Sequence, residues 1–157
     1  MMASIAGRMV RDERGATLVE FALVAPVVLL ILVACLDFAR ALNAYATIVN
    51  ATREGARYAT LNPVATSAAI TSAVKSRAIP LDTGAIGVTV TYDDGTGTWP
   101  WPTSGGLPES FSSPQPITVH VATTYDWLAS TWLVGSLFSV TTGSRTFGSE
   151  STMVAIR

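Results

Sequence analysis

The stretch that decides the fold is FALVAPVVLLILVACL, Phe21–Leu36, which contains no charged side chain. Eleven of its residues are Leu, Ile, Val or Phe, and each favours membrane insertion by roughly 0.3 to 0.6 kcal/mol. Extending the run back to Ala16 gives 21 residues, and a helix of that length spans about 30 Å, the thickness of a hydrocarbon core. The sequence therefore predicts one transmembrane helix over 16–36.

The arginines around this helix predict its orientation. Arg8, Arg11 and Arg14 precede it, whereas only Arg40 follows within about 15 residues. Because cytoplasmic flanks of membrane helices are enriched in Lys and Arg, we expect a cytoplasmic N-terminus. The C-terminal part of the chain is then periplasmic or extracellular.

The composition argues against several classes of function. The chain of 157 residues has 10 Lys+Arg, 11 Asp+Glu, one Cys and one His, with a formal net charge of -1. This balance predicts no basic face for nucleic acid, and single Cys and His residues leave little for a metal cluster or a histidine-based triad. We expect no enzyme, no cofactor, no metal site and no small-molecule substrate, since no nucleophile with a base, carboxylate pair or phosphate loop stands at a meaningful spacing.

Glu20 is the one charged residue within the predicted span. A carboxylate in an apolar helix is costly, so it suggests a functional group with a partner. The alternative is that Glu20 reaches the lipid headgroups as the last polar residue before the span. Leu18 and Val19 precede it and are apolar, and both interpretations stay open on the residues alone.

The stretch RDERGATLVEFALVAPVVLL resembles the N-terminus of type IV pilin-like proteins, and in particular the TadE-like family of Tad (tight adherence, Flp-type) pilus systems. The resemblance is carried by a basic leader ending at Gly15, the small residue Ala16, Glu20 as the fifth residue after the glycine, and the apolar helix. A second block, DFARALNAYATIVNATREGARYA (37–59), is similar to the part that follows the span in that family. Its signature is REGAR, namely Arg53, Glu54, Gly55 and Arg57 with Ala56 between them.

The resemblance implies a structural protein, a minor pilin or pseudopilin that takes part in pilus biogenesis, adherence or secretion. It further implies a leader, 1–15, that a prepilin peptidase cuts between Gly15 and Ala16. Glu20, followed by Phe21, would then set the assembly register by pairing with the new amine of a neighbouring subunit. The implied partners are the membrane, the peptidase, other Tad pilins and inner-membrane platform proteins. The implied location is the bacterial inner membrane or the pilus.

A competing interpretation rests on Leu32-Val33-Ala34-Cys35, which matches a lipobox. The chain would then be a membrane-anchored periplasmic binding module, a lipoprotein attached at Cys35, outside any pilus. The alternative for Cys35 itself is a small apolar residue of the helix.

Beyond the span, the pattern predicts a helical stalk over 37–61. Apolar and small residues recur every three or four positions and define one expected packing face: Phe38, Leu42, Tyr45, Val49, Thr52, Ala56 and Ala59. Asn62-Pro63 is expected to end this helix, because the residue before a proline avoids the helical region.

Residues 62–157 are predicted to form a small, pilin-like α+β head. The expected elements are two helices, Pro63–Ala78 and a buried one over Tyr125–Val140, and three strands of an antiparallel sheet, Ile86–Tyr92, Ile117–Tyr125 and Ser149–Arg157. In the middle strand Ile117, Val119 and Val121 should face the core, with Thr118 and His120 opposite.

The segment 93–116 is predicted to be a long exposed loop, since it contains five of the eight prolines and four of the twelve glycines. Trp99 and Trp101 lie in its WPWP motif. Two interpretations are open: the rings fold back onto the sheet, or they are exposed and form a contact site for another subunit or a surface.

Overall fold

The computed structural model describes residues 13–79, 81–107, 115–126 and 144–155. Its helices are α1 (Glu13–Leu61) and α2 (Ser67–Arg77), and its strands are β1 (Ile86–Asp93), β2 (Thr98–Pro100), β3 (Gln115–Tyr125) and β4 (Arg145–Ala155). The chain divides into two compact units between Leu36 and Asp37.

The first unit contains the N-terminal part of α1. Its large apolar side chains are mostly exposed, with Leu23 at 76% and Phe21 at 69%. Among the described residues, α1 is the one helix long and apolar enough to cross a membrane. A helix of this kind is compatible with single-pass membrane anchoring, because apolar side chains that would be unfavourable in water are favourable in lipid.

The second unit is built on a four-stranded antiparallel sheet in the order β2-β1-β3-β4. In its centre Val90 lies opposite Val119, and Ile117 lies opposite Met153. The unit also contains α2, so the predicted α+β class is confirmed. Strand β4 begins at Arg145, earlier than the predicted Ser149.

The core of the second unit lies on one face of this sheet. The predicted inward residues of β3, Ile117, Val119 and Val121, are fully buried, whereas His120 is exposed. Helix α2 contributes one buried face, with Ile70 and Val74 at 0% exposure, and Ala78 directly after the helix is also fully buried. It begins at Ser67 because the Thr66 hydroxyl accepts a hydrogen bond from the Ala69 amide at 3.2 Å and caps the first turn.

The predicted packing face of residues 37–61 is wrong in its first half. Phe38, Leu42 and Tyr45 are 58%, 52% and 48% exposed. The residues that pack are offset from them by about one position and are mostly small: Asp37, Ala41, Ala44, Ile48, Ala51, Thr52, Gly55, Ala56 and Ala59. Both sets recur every three or four residues, so periodicity alone does not distinguish them. Small side chains allow the helix to approach the core closely. Ala51, Ala56 and Ala59 belong to the core, together with the larger Ile48.

The predicted loop 93–116 is more ordered than its composition indicates. Residues 98–100 form β2, and Trp101 and Leu107 are buried at 4% and 8% exposure. The segment after β2 binds the turn between the helices, because the Leu107 amide donates to the Pro63 carbonyl at 2.7 Å. The helix predicted over 125–140 lies outside the described residues from 127 onward.

Candidate functional site

The residues predicted to direct processing and assembly lie in the first three turns of the described part of α1. Gly15, Ala16, Glu20 and Phe21 are all exposed. Ala16 and Glu20 are separated by four residues, so they are neighbours on one helix face about 6 Å apart. Among the described residues, no atom lies within 4 Å of a Cβ atom built on Gly15.

Phe21 marks the start of an apolar groove on the surface of the first unit. The groove is lined by residues at helical spacing: Phe21, Val24, Ala25, Val28, Leu29 and Leu32. Glu20 immediately precedes this groove, so a single carboxylate stands next to a wholly apolar helix face. Such a face suits lipid or another apolar helix.

The REGAR signature has a packing role that the structure makes clear. Gly55 faces Val74 of α2 and Val119 of β3, and a Cβ atom at position 55 would collide with the Val74 side chain. Ala56 is fully buried. A glycine is required here because no side chain fits between α1 and its neighbours, and that close packing offsets the roughly 1 kcal/mol that glycine costs a helix.

The charged residues of the signature lie at the edge of the same contact. Glu54 is one-third exposed and lies 3.6 Å from the Arg57 guanidinium and 3.8 Å from that of Arg77 at the end of α2. The first contact is an i,i+3 pair on α1. The second ties α1 to α2, while Arg53 is exposed.

The comparison with family models covers both the Gly15 junction and the REGAR signature. Residues 15–57 match the family model for TadE-like protein. The chain therefore carries a TadE-like domain, and the suspected resemblance is confirmed. The domain begins at Gly15 and ends at Arg57, so it contains both the junction and REGAR.

The TadE-like domain covers less than a third of the chain. The comparison with curated proteins and the comparison with solved structures gave no match. The residues after Arg57, which include the head, are thus described by their structure alone.

The two loop tryptophans have different surroundings. Trp101 packs in the core, its indole Nε1 donates to the Ala65 carbonyl at 2.9 Å, and its ring meets Tyr92 edge-on at 6.4 Å. Trp99 is 49% exposed. Of the two interpretations, folding back therefore holds for Trp101. An exposed contact site remains open for Trp99 alone.

The acidic turn before β2 binds its own backbone. The Asp94 carboxylate accepts from the Thr96 hydroxyl at 2.6 Å and from the Thr96 and Gly97 amides. These hydrogen bonds hold the pKa of Asp94 below its usual value, and the one from the Thr96 side chain has the largest effect. Among the residues that the structure describes, no three His, Cys, Asp or Glu side chains are grouped to hold a metal ion.

A group of residues that the sequence did not predict lies where the second unit begins. We call it the Tyr125 cluster: Asp37, Arg40, Tyr45, Tyr125 and Phe147. The Tyr125 hydroxyl donates to the Asp37 carbonyl at 3.4 Å, and the Arg40 guanidinium lies 5.9 Å from the Tyr125 ring centre. Phe147 contacts the rings of Tyr125 and Tyr45 at 5.6 and 6.5 Å.

One sequence signal could have indicated part of this cluster. Tyr125 continues the period-two pattern of Ile117, Val119 and Val121, which places it on the core face of β3. No comparable signal identifies its partner Asp37, which is 2% exposed and pairs with Arg40 at 3.4 Å.

Proposed function

We propose that this chain is a minor pilin or pseudopilin of a Tad pilus, anchored in the bacterial inner membrane by residues 16–36. The observation that carries the proposal is the TadE-like match over 15–57, which joins the Gly15 junction, the apolar helix and REGAR in one domain. The role is structural rather than catalytic. It consists of helping to build the pilus used for adherence or secretion.

Glu20 is central to the proposed assembly step. In a low-dielectric environment an unpaired carboxylate is unfavourable, and a nearby cation compensates its charge. Cutting after Gly15 would create an amine on Ala16, one helical turn from Glu20. Pairing between the amine of one subunit and Glu20 of its neighbour would neutralise both charges and fix their axial register.

The proposed topology has a cytoplasmic leader, 1–15, and a periplasmic or extracellular head. It follows from the arginines before the span and places the Gly15–Ala16 bond on the cytoplasmic side. The proposed partners are therefore a prepilin peptidase at that face, other Tad pilins around the span and the inner-membrane platform proteins.

Deletion of the gene in the organism that encodes this chain tests the assembly role. We expect pili on the cell surface to be lost or sharply reduced in electron micrographs, and wild-type chain supplied in trans should restore them. Normal piliation in the deletion strain would contradict the proposal. Total pilin in whole-cell immunoblots is the control, because a drop in pilin synthesis would mimic an assembly defect.

N-terminal sequencing tests processing separately. Chain purified from cells that contain the peptidase should begin at Ala16, and chain from a peptidase-deleted strain should keep the leader. An N-terminus upstream of Gly15 in both strains would exclude cleavage at this junction. The gene-deletion result is independent of this outcome.

The lipoprotein alternative predicts that Cys35 is lipidated. Cys35 is an exposed free cysteine on α1. We expect the Cys35→Ser variant to remain in the membrane fraction, since the apolar helix is sufficient for anchoring. Release of the variant into the soluble fraction, together with a lipid-modified mature N-terminus at Cys35 of the wild-type chain, would favour the binding module.

A further inference from the structure

Three exposed arginines lie where the end of α2 meets α1. They are Arg53, Arg57 and Arg77, and we call them the arginine edge. Arg57 and Arg77 share one carboxylate, that of Glu54. Arg53 lies one helical turn before Arg57 on the same face, and among the described residues no ion pair involves it. Three guanidinium groups with one carboxylate leave a net charge of +2, which a further anionic group would compensate.

The end of β1 and the turn after it have the opposite charge. Asp93 and Asp94 are adjacent there, and Trp99 follows on β2; we call these three residues the hairpin tip. Both carboxylates hold the turn, because the Gly95 amide donates to Asp93 at 2.8 Å and the Gly97 amide donates to Asp94 at 3.1 Å. Neither aspartate forms an ion pair within the described part of the chain. Two negative charges therefore stand at a fixed place without a cation.

Trp99 adds an apolar surface to the hairpin tip. Its indole N–H donates to the Asp94 carboxylate, and its backbone lies opposite Tyr92 across the hairpin. The side chain is nevertheless 49% exposed. The ring is thus held in place with about half of its surface open to a partner, and an aromatic group fixed in this way loses little conformational entropy on binding.

Arginine is the side chain that suits both parts of the hairpin tip. A guanidinium group binds carboxylates through paired N–H donors, and it also stacks on the face of a tryptophan ring. The arginine edge, at +2, and the two aspartates, at -2, are therefore complementary in charge. Within one chain the described ion pairs do not join them, since those of the arginine edge are made with Glu54.

We propose that the arginine edge of one copy of this chain binds the hairpin tip of a second copy. The two surfaces are different parts of the same head, so the contact is head-to-tail and can repeat from copy to copy in an open row. A second copy is favoured over another anionic protein because the chain itself carries the matching aspartates and tryptophan. The inference deepens the proposed pilin role by naming a partner for the head, and it rests on that role for its use in a pilus.

Disulfide cross-linking between purified full-length chains tests the contact. Ser76 lies next to the arginine edge and Thr98 next to Trp99, and both are exposed. In a Cys35→Ser background, one chain carries Ser76→Cys and the other, with a different affinity tag, carries Thr98→Cys. The two are mixed in detergent micelles and oxidised. We expect the mixed dimer to form several-fold faster than when Ser76→Cys is replaced by Thr124→Cys, an exposed position on β3.

Two results of this assay would overturn the proposal. One is an equal rate for the two mixed pairs. The other is equally fast cross-linking between two Thr98→Cys chains, because it would place two hairpin tips against each other. The assay involves neither pili nor the leader, so its failure leaves the gene-deletion result unaffected. Normal piliation in the deletion strain, conversely, would remove the pilus role and leave the cross-link in place.

Charge-neutralising variants test which groups make the contact. Asp93→Asn with Asp94→Asn should slow the cross-link several-fold, although the amide oxygens can still accept from the backbone of the turn. Arg53→Gln should slow it too, and it leaves the ion pairs of Glu54 intact. The matched control is Asp126→Asn with Glu150→Gln, which removes two exposed carboxylates elsewhere on the head and should not change the rate.

Near-ultraviolet circular dichroism confirms that each variant is folded before its rate is compared. An unchanged rate for the variant with both hairpin-tip aspartates neutralised would contradict the proposal. An equal loss in the control would contradict it as well, because the effect would then follow net charge rather than this surface.

Discussion

The two halves of α1 have one backbone conformation and different surroundings. In the N-terminal half, residues 16–36, large apolar side chains are exposed, such as Ile31 at 57%. In the C-terminal half, 37–61, the buried positions are mostly small, such as Ala44, Ala51 and Gly55. The first pattern suits lipid, and the second suits close packing on the core. The predicted face is right for Thr52, Ala56 and Ala59, and wrong for the exposed Phe38, Leu42 and Tyr45. The comparison therefore shows that side-chain size, rather than hydropathy alone, indicates the packed positions near the start of 37–61.

An isoleucine in each half gives the largest expected contrast. Ile48 is fully buried and Ile31 is 57% exposed. We expect Ile48→Ala to lower the free energy of unfolding of the head by about 2 to 5 kcal/mol, because it removes buried methyl groups and leaves a cavity. Ile31→Ala should leave it unchanged. The unfolding free energies of both variants are measured by denaturant unfolding of the full chain in nanodiscs, with near-ultraviolet circular dichroism as the signal. Similar losses for the two variants would contradict the different surroundings of the two halves of α1.

A glycine in each half sharpens the comparison further. A Cβ atom at position 55 would collide with the Val74 side chain, whereas one at position 15 would meet no described atom within 4 Å. We expect Gly55→Val to destabilise the head by about 3 kcal/mol, since the added methyl groups push α1 away from α2 and β3. Gly15→Val is the matched control in the same unfolding assay and should have no effect on the head. If Gly55→Val left the unfolding free energy of the head unchanged, the packing role assigned to Gly55 in REGAR would be wrong.

The loop tryptophans extend the contrast between buried and exposed side chains outside α1. Trp101→Phe should cost about 1 to 2 kcal/mol, because the Ala65 carbonyl loses its indole donor. Trp99→Phe should change the unfolding free energy little, since Trp99 is 49% exposed. Equal effects of the two substitutions on the unfolding midpoint would be inconsistent with their different burial.

Much of this architecture could be predicted from the sequence. The apolar run and the period-two pattern of Ile117, Val119 and Val121 are both local signals. The structure forms a long helix over the first and buries all three residues of the second. The TadE-like resemblance was also readable, because Gly15, Glu20 and REGAR stand at characteristic spacings, and the family match confirms it.

Other features depend on tertiary contacts that leave no local signal. The choice between Phe38 and its neighbour Asp37 as the packed residue is decided by Tyr125, far away in sequence. Likewise, the Pro- and Gly-rich composition predicted an exposed loop over 93–116 and left the burial of Trp101 open. A hydrogen bond to Ala65 and a close approach of Gly106 to Pro63 instead fold that segment inward.

One experiment on two glutamates tests the central claim most directly. Glu20→Gln and Glu54→Gln make the same chemical change in the two halves of α1, and each strain is examined for surface pili and for head stability. We predict that Glu20→Gln abolishes pili and leaves the unfolding free energy unchanged. Glu54→Gln should keep pili and lose up to about 1 kcal/mol, because its ion pairs are partly exposed. Normal piliation with Glu20→Gln would contradict the account.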